Sequence, residues 1–279
     1  FKEELDRISG GYFKVELYPS GQLMGPSDEV AATARGQIEM SAPYFSYLAP
    51  VEPLLNIYQV PFVFDSYPQL WRFLETEEAK ALIAKLEARN LQPAGYWFES
   101  PARLWGKEPI ETLSDLEGKK IRVVPSEILQ KSITALGATP TAIPGPELYL
   151  ALQQGVADGA VTAPTFGYAM KFYEVTEATT NLDFFYGGYV PMFNKRWFDA
   201  LPADRQAQLL EAVALARSFN EENVVADLAK VDADLTGVGQ TIITVGPDVV
   251  AEFRAALEPF YQSLDPEVQA LIAKVREVQ

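Results

Sequence analysis

Cysteine and histidine are both absent from the 279 residues of this chain. Without thiols and imidazoles, it cannot build the Cys/His zinc sites, thiol nucleophiles or serine–histidine triads on which many enzymes depend. A chain without thiols suits an oxidising compartment such as the bacterial periplasm, although many cytosolic proteins also lack cysteine. The composition therefore narrows the catalytic options and leaves the compartment open.

Long apolar runs and basic residues are also scarce. No run of about 20 apolar residues occurs, so the sequence predicts no membrane-spanning helix. The chain has 23 Lys and Arg against 38 Asp and Glu, a formal net charge of −15, which repels nucleic-acid phosphates and argues against DNA or RNA as a partner. Neither a cluster of metal ligands nor a glycine-rich phosphate loop appears, so we expect no metal and no cofactor.

Strand and helix patterns alternate along the chain, most clearly over residues 118–162. A strand at residues 120–124 is followed by an amphipathic helix that ends at Gly137 and a strand at 139–143. A second helix then precedes a strand at residues 158–161. A βαβαβ sequence of this kind predicts a parallel sheet and the α/β class.

Residues 203–235 carry apolar side chains at an approximate 3.6-residue period, which predicts one long helix. At about 1.5 Å per residue it would span roughly 50 Å, more than one lobe of a chain this size, so we expect it to bridge two lobes. Shorter patterns predict helices at residues 1–8 and 26–36, and strands at residues 13–17, 38–42 and 91–98.

Two arginines are candidates for binding an anion. Arg122 lies between Ile121 and Val123 in a predicted strand, so it points away from the side that these neighbours face. A guanidinium there needs an anionic partner, and the pattern alone favours an internal ion pair over a ligand. Arg103 precedes Leu-Trp-Gly, and its simplest interpretation is an ordinary surface arginine.

Six short motifs follow one another along the chain. They are residues 18–23 (YPSGQL), 60–64 (VPFVF), 113–125 (LSDLEGKKIRVVP), 136–140 (LGATP), 147–159 (ELYLALQQGVADG), and Asn194 with Trp197. In their order and spacing they resemble the DctP-type solute-binding proteins of tripartite ATP-independent periplasmic (TRAP) transporters. Each motif is weak alone, but together they extend over nearly the whole chain.

The resemblance implies an α/β, two-lobed periplasmic-binding-protein-like fold, with hinge strands and a long helix spanning both lobes. Lobe one is expected at residues 1–100 plus 188–227, and lobe two at residues 101–187 plus 228–279. The expected function is capture of a small organic carboxylate in the cleft between the lobes and delivery to the TRAP membrane permease, without chemistry. The expected location is the periplasm, with a cleaved signal peptide and a first strand upstream of Phe1.

The resemblance also implies roles for four residues of lobe two. Arg122 matches the carboxylate-binding arginine of the family, and Arg103 matches a second arginine that supports the same ligand. Thr162 stands where many members carry an asparagine in the site, so a hydroxyl replaces an amide. Gly145 stands where some members place an aromatic ring against the ligand, so we expect free space beside it.

Aromatic residues cluster at the expected edges of the cleft. Tyr44, Trp97, Phe184 and Phe185 are the candidate lining residues, although most aromatics in such clusters belong to a core. An aromatic lining and free space at Gly145 favour a small apolar or aromatic carboxylate, including 2-oxo and 2-hydroxy acids. A sugar acid or other polar carboxylate is the alternative.

Two other classes of protein stay open. An enzyme could use Glu99 near Arg103, or Asp158, for carboxylate acid–base chemistry, which needs neither cysteine nor histidine. The binding protein of an ATP-driven importer would share the two-lobed architecture, but the order of the motifs disfavours it.

Overall fold

Helices and short strands alternate along residues 1–278, the part of the chain that the computed structural model describes. The helices are α1 (Lys2–Ser9), α2 (Pro26–Arg35), α3 (Phe45–Leu48), α4 (Tyr67–Leu74), α5 (Glu77–Ala84), α6 (Glu127–Ala135), α7 (Leu148–Gln153), α8 (Pro164–Ala169), α9 (Lys195–Asp199), α10 (Ala203–Gly237), α11 (Pro247–Ala256), α12 (Glu258–Gln262) and α13 (Pro266–Glu277). The strands are β1 (Met40–Ser41), β2 (Leu91–Pro93), β3 (Trp97–Phe98), β4 (Arg103–Gly106), β5 (Lys120–Val123), β6 (Thr139–Ala142), β7 (Gly159–Thr162), β8 (Ala178–Asn181), β9 (Gly188–Tyr189), β10 (Met192–Asn194) and β11 (Thr241–Thr244). The alternation confirms the predicted α/β class.

The chain forms two units and passes between them repeatedly. Unit 1 consists of Phe1–Leu55, Glu77–Phe98 and Gly188–Val225, and unit 2 consists of Asn56–Thr76, Glu99–Gly187 and the chain from Ala226 onward. Unit 2 thus includes residues 56–76, which the sequence motifs placed in lobe one.

Contacts with remote segments tie residues 56–76 to unit 2. The amide of Phe62 donates to the carbonyl of Phe184 at 2.9 Å. The side chain of Gln69 donates to the carbonyl of Val275 at 3.1 Å, although 206 residues separate the two. Bonds over such separations leave no periodic trace in the sequence, so its patterns could not reveal them.

The sheet of unit 2 runs in the order β11-β8-β4-β7-β5-β6. β5 pairs in parallel with both β6 and β7, which confirms the parallel βαβαβ region predicted for residues 118–162. β4 enters between β7 and β8 and is antiparallel to both. The first residue of β4, Arg103, therefore lies beside the last residue of β7, Thr162.

Unit 1 contains shorter strands than the sequence predicts. Its sheets are β1-β10-β2 and the pair β3-β9. The strand predicted at residues 91–98 is divided into β2 and β3 around Gly95, whose φ of 144° interrupts the extended run. Residues 13–17 lie outside the strands, so that prediction is wrong. Alternation alone does not supply the hydrogen-bonded partner that a strand requires.

Helix α10 confirms the predicted long helix. Its 35 residues span about 52 Å, and the chain passes from unit 1 to unit 2 within it, between Val225 and Ala226. Its first half buries Leu209 in the core of unit 1, and its last turns bury Leu235 in a core of unit 2. None of the helices in the described part of the chain is both long and apolar enough to cross a membrane.

Trp105 of β4 is the centre of the core that covers one face of the sheet in unit 2. It is completely buried and meets the ring of Phe172 edge-on at 5.9 Å. Helix α8 approaches the indole at Gly167, where a β-carbon would overlap the ring. This close approach fixes α8 against the face that carries the candidate site.

Candidate ligand-binding site

Strand pairing places Arg103 and Arg122 on the same face of the sheet in unit 2. Arg103 lies opposite Thr162, and Arg122 lies opposite Ala160. Directly paired residues point to the same face, and residues two apart on a strand share a face. The two arginines and Thr162 therefore project from one side, with the arginines separated by two strand spacings, or about 10 Å across the sheet.

Arg122 is a buried cation at the carboxyl end of the parallel strands. Only 2% of the residue is exposed, and its Nε donates a 2.8 Å hydrogen bond to the carbonyl of Ile143, just beyond β6. This bond orients the guanidinium at the edge of the sheet where α/β proteins bind their ligands. A buried guanidinium of this kind is suited to hold an anion.

Arg103 is buried as well, with 3% exposed, so its interpretation as a surface arginine is wrong. Its two terminal nitrogens bind the two carboxylate oxygens of Asp232 on α10, with Nη2 to Oδ2 at 3.1 Å. The side chain of Asp232 keeps 30% of its surface exposed. Arg103 therefore forms the kind of internal ion pair that the sequence suggested for Arg122.

A second carboxylate lies within electrostatic reach of this pair. Asp183 follows β8 in a left-handed backbone conformation with φ 46°, and its side chain is exposed. Removal from bulk water raises the pKa of Asp183; the cation of Arg103 lowers it and the charge of Asp232 raises it further.

Polar side chains extend the same face beyond Arg103. Thr179 lies opposite Trp105, and continuing the register brings Asn181 beside Arg103. Thr179 Oγ1, Asn181 Oδ1 and Arg103 Nε are buried, and none of them makes a hydrogen bond to a described residue. Buried polar atoms are rarely left without a partner, so this group marks a polar region next to the apolar core around Trp105.

The space expected beside Gly145 is occupied. A β-carbon at this position would lie 3.1 Å from Cζ of Phe166, so the ring from α8 already fills the volume. An aromatic ring is therefore present next to residue 145, but it comes from another part of the sequence. The expectation of free space at Gly145 is wrong for this reason.

The four aromatic candidates divide between the two units. Phe184 and Phe185 lie in the interior of unit 2, with 0% and 3% exposed, and Phe184 meets Phe62 edge-on at 5.2 Å. Tyr44 and Trp97 are half-buried residues of unit 1. Contact of these four rings with a ligand stays a prediction, and the two phenylalanines already have the packing of core residues.

Asp183 and Asp232 are the charged neighbours of Arg103 that sequence reasoning missed. Asp232 follows the buried Val231 within an amphipathic helix, and Asp183 stands between the buried Leu182 and Phe184. An acidic residue beside buried apolar neighbours is the signal that could have drawn attention to both. The described residues contain no group of three or more His, Cys, Asp or Glu side chains that could hold a metal ion.

A family described as bacterial extracellular solute-binding protein, family 7 (DctP), matches residues 1–267 of this chain. The chain belongs to the DctP family. This is the family that the sequence motifs resemble, and its members are binding proteins rather than enzymes. The alternative of a carboxylate-dependent enzyme is therefore set aside.

Relatives within the family are named for different ligands. The C4-dicarboxylate-binding periplasmic protein DctP of Rhodobacter capsulatus is 31% identical over 239 residues, covering 84% of this chain and 72% of the relative. The ectoine/5-hydroxyectoine-binding periplasmic protein UehA of Ruegeria pomeroyi is 30% identical over 249 residues, covering 83% of this chain and 70% of the relative.

A solved structure shows the same fold. The TRAP periplasmic solute-binding protein of Sulfurospirillum deleyianum, with bound succinate, is 27% identical and has a TM-score of 0.92, covering 100% of this chain and 92% of that one. The predicted periplasmic-binding-protein-like fold is confirmed by this match.

Proposed function

We propose that this chain is the extracytoplasmic substrate receptor of a TRAP transporter, which captures a small organic carboxylate in the periplasm and delivers it to the membrane permease. Membership of the DctP family and the likeness to a succinate-bound TRAP protein support the class of protein. The main support for a carboxylate as the ligand is Arg122, which is buried at the carboxyl ends of parallel strands.

Arg122 acts by binding the carboxylate of the ligand through paired, charge-assisted hydrogen bonds. The carbonyl of Ile143 already holds Nε, which fixes the orientation of the guanidinium before the ligand arrives. A desolvated pair of this kind contributes on the order of 2–3 kcal/mol. Thr162, on the same face, offers its hydroxyl to a polar group next to the carboxylate.

The character of the rest of the ligand follows from the other side chains on this face. Phe166 fills the space at Gly145, and Phe184 packs in the core, so two arguments for a wide apolar ligand lose their support. Thr179 and Asn181 instead add polar atoms close to Arg103. These observations favour the alternative of a polar carboxylate over the apolar one that the sequence suggested.

Identification of the natural cargo tests this function. The protein is purified without denaturation, and small molecules released from it are identified by mass spectrometry. We expect a small carboxylate, whose binding is then measured by calorimetry in the wild type and in Arg122→Lys. Arg122→Lys should bind at least tenfold more weakly, because an ammonium cannot form the paired bonds. A cargo without a carboxylate would contradict the proposal.

A further inference from the structure

We propose that Asp232 occupies the carboxylate-binding position of Arg103, so that the ligand presents a hydrogen-bond donor or a cation to this end of the site rather than a second carboxylate. Asp232 and Asp183 are then the residues that set specificity. This inference rests on the proposed capture of a carboxylate by Arg122.

The guanidinium of Arg103 is already engaged in the geometry that recognises carboxylates. Both terminal nitrogens bind the two oxygens of Asp232, which is the bidentate arrangement that a ligand carboxylate would need. Arg103 is 3% exposed, so displacing Asp232 would separate a buried ion pair. A second carboxylate of a ligand therefore finds this position taken.

The charges around Arg103 also oppose a second anion. Arg103 is paired with Asp232, and Asp183 lies two residues beyond Asn181, the register position beside Arg103, so two carboxylates accompany one cation at this end of the site. Like charges repel strongly where water is partly excluded, whereas an ammonium, amidinium or amide N–H is attracted. The excess charge therefore selects donors and cations.

The uncharged polar atoms agree with this assignment. Asn181 Oδ1, in the register position beside Arg103, is an acceptor that none of the described residues satisfies. Thr179 is fully buried on the same face, and its hydroxyl also accepts a hydrogen bond. These two oxygens can accept a hydrogen bond from a ligand, while Nε is the one atom of the Arg103 guanidinium that no described residue binds and is a donor.

The spacing suits a small molecule. Arg122 and Arg103 are separated by two strand spacings, about 10 Å across the sheet. A ligand with its carboxylate on Arg122 and a chain of a few atoms then brings its other end toward Arg103 and its partner Asp232. The chemical class is a monocarboxylate with a nitrogen donor at its far end, such as an amino, amidino or amide acid.

Matched probes of equal length test the assignment. Succinate, succinamate and 4-aminobutanoate share a four-carbon chain, and glutarate, glutaramate and 5-aminopentanoate extend it by one carbon. Thermal-shift measurements and calorimetry at fixed ionic strength should show that the amide or amino acid of a set binds at least tenfold more tightly than the dicarboxylate. Tighter binding of the dicarboxylates, or no response to any of the six probes, would overturn the inference.

A pair of charge variants assigns the preference to Asp232. In Asp232→Asn, we expect the ratio of dicarboxylate to monocarboxylate affinity to rise at least tenfold, because the guanidinium of Arg103 becomes available. Asp234→Asn is the matched control, since it removes the same charge from the same helix, where Asp234 binds the exposed Lys230. An equal change in both variants would assign the effect to net charge and contradict the proposal.

Asp183→Asn keeps the test decisive if Asp232→Asn does not fold. Asp183 is exposed, so its amide variant should fold, and the affinity ratio should rise about threefold. An unchanged ratio would count against the inference.

Arg122→Ala separates this inference from the proposed function. If dicarboxylates bind best but their binding still depends on Arg122, only this inference fails. If no binding depends on Arg122, the proposed function fails as well.

Discussion

Arg103 and Arg122 project from the same face of one sheet and are equally buried, yet they have different partners. Arg122 is held by the carbonyl of Ile143, 21 residues along the chain, whereas Arg103 is held by the carboxylate of Asp232, 129 residues away. The carbonyl of Ile143 orients the guanidinium of Arg122, and the bidentate carboxylate of Asp232 balances the charge of Arg103. The comparison shows that two equally buried arginines on one face can be oriented by different kinds of partner, one in a nearby loop and one on a distant helix.

The largest expected effect is on binding at Arg122. Arg122→Ala should weaken carboxylate binding on the order of 100-fold, since it removes a charge-assisted pair that contributes about 2–3 kcal/mol. Calorimetry with the identified cargo measures the loss, and circular dichroism checks that the variant is folded. Unchanged affinity in a folded variant would show that Arg122, like Arg103, serves the structure.

The next effect is on stability at Arg103. Asp232→Ala leaves a buried guanidinium without its counter-charge, and because Asp232 is partly exposed we expect a loss of about 2–3 kcal/mol in the free energy of unfolding. Urea titration measures the loss. Asp234→Ala, on the same helix, should cost less than about 0.5 kcal/mol. Equal losses in the two variants would mean that the buried pair adds nothing to stability.

A smaller effect is expected near Arg122, where the loop after β6 meets α8. Gly145→Ala would place a methyl group 3.1 Å from Phe166, and we expect a loss of about 1 kcal/mol in the free energy of unfolding. Thermal melting measures the change. Adding Phe166→Leu should recover part of the loss, because the shorter side chain makes room for the methyl group. A variant as stable as the wild type would show that the ring moves freely.

The smallest expected effect is a pH dependence of stability that arises from Asp183, near Arg103. Folding raises the pKa of Asp183, so the charged carboxylate is less stable in the folded than in the unfolded chain. This destabilisation is absent well below the unfolded pKa of about 4 and appears as the pH rises through and above it. Asp183→Asn should therefore raise the melting temperature slightly at pH 7.

The wild type and Asp183→Asn should converge toward pH 3, where the carboxyl is protonated in both the folded and the unfolded chain. Melting curves of the two proteins from pH 3 to pH 7 measure this difference. A gap that persists unchanged at pH 3 would mean that the effect does not come from the titration of Asp183.

Local sequence patterns were sufficient for much of the fold. The apolar period of α10 and the strand, glycine and proline signals of residues 118–162 predicted the long helix and the parallel strands. Both depend on residues close together in the chain, where side-chain spacing reports the backbone directly. The six motifs predicted the family because they are short and contiguous, and the alternation in that region placed Arg122 on the covered face of a strand.

Tertiary structure alone decided the partners of the site. Asp232 reaches Arg103 from a distant helix, Phe166 fills the space at Gly145, and residues 56–76 join unit 2 through bonds to remote segments. None of these contacts has a fixed sequence separation, so no period or motif encodes it. The sequence by itself determined which side chains lie on each face of a strand or helix, because backbone geometry repeats every few residues. Which faces meet, and so which residues become partners, depends on contacts between segments that are far apart in the sequence.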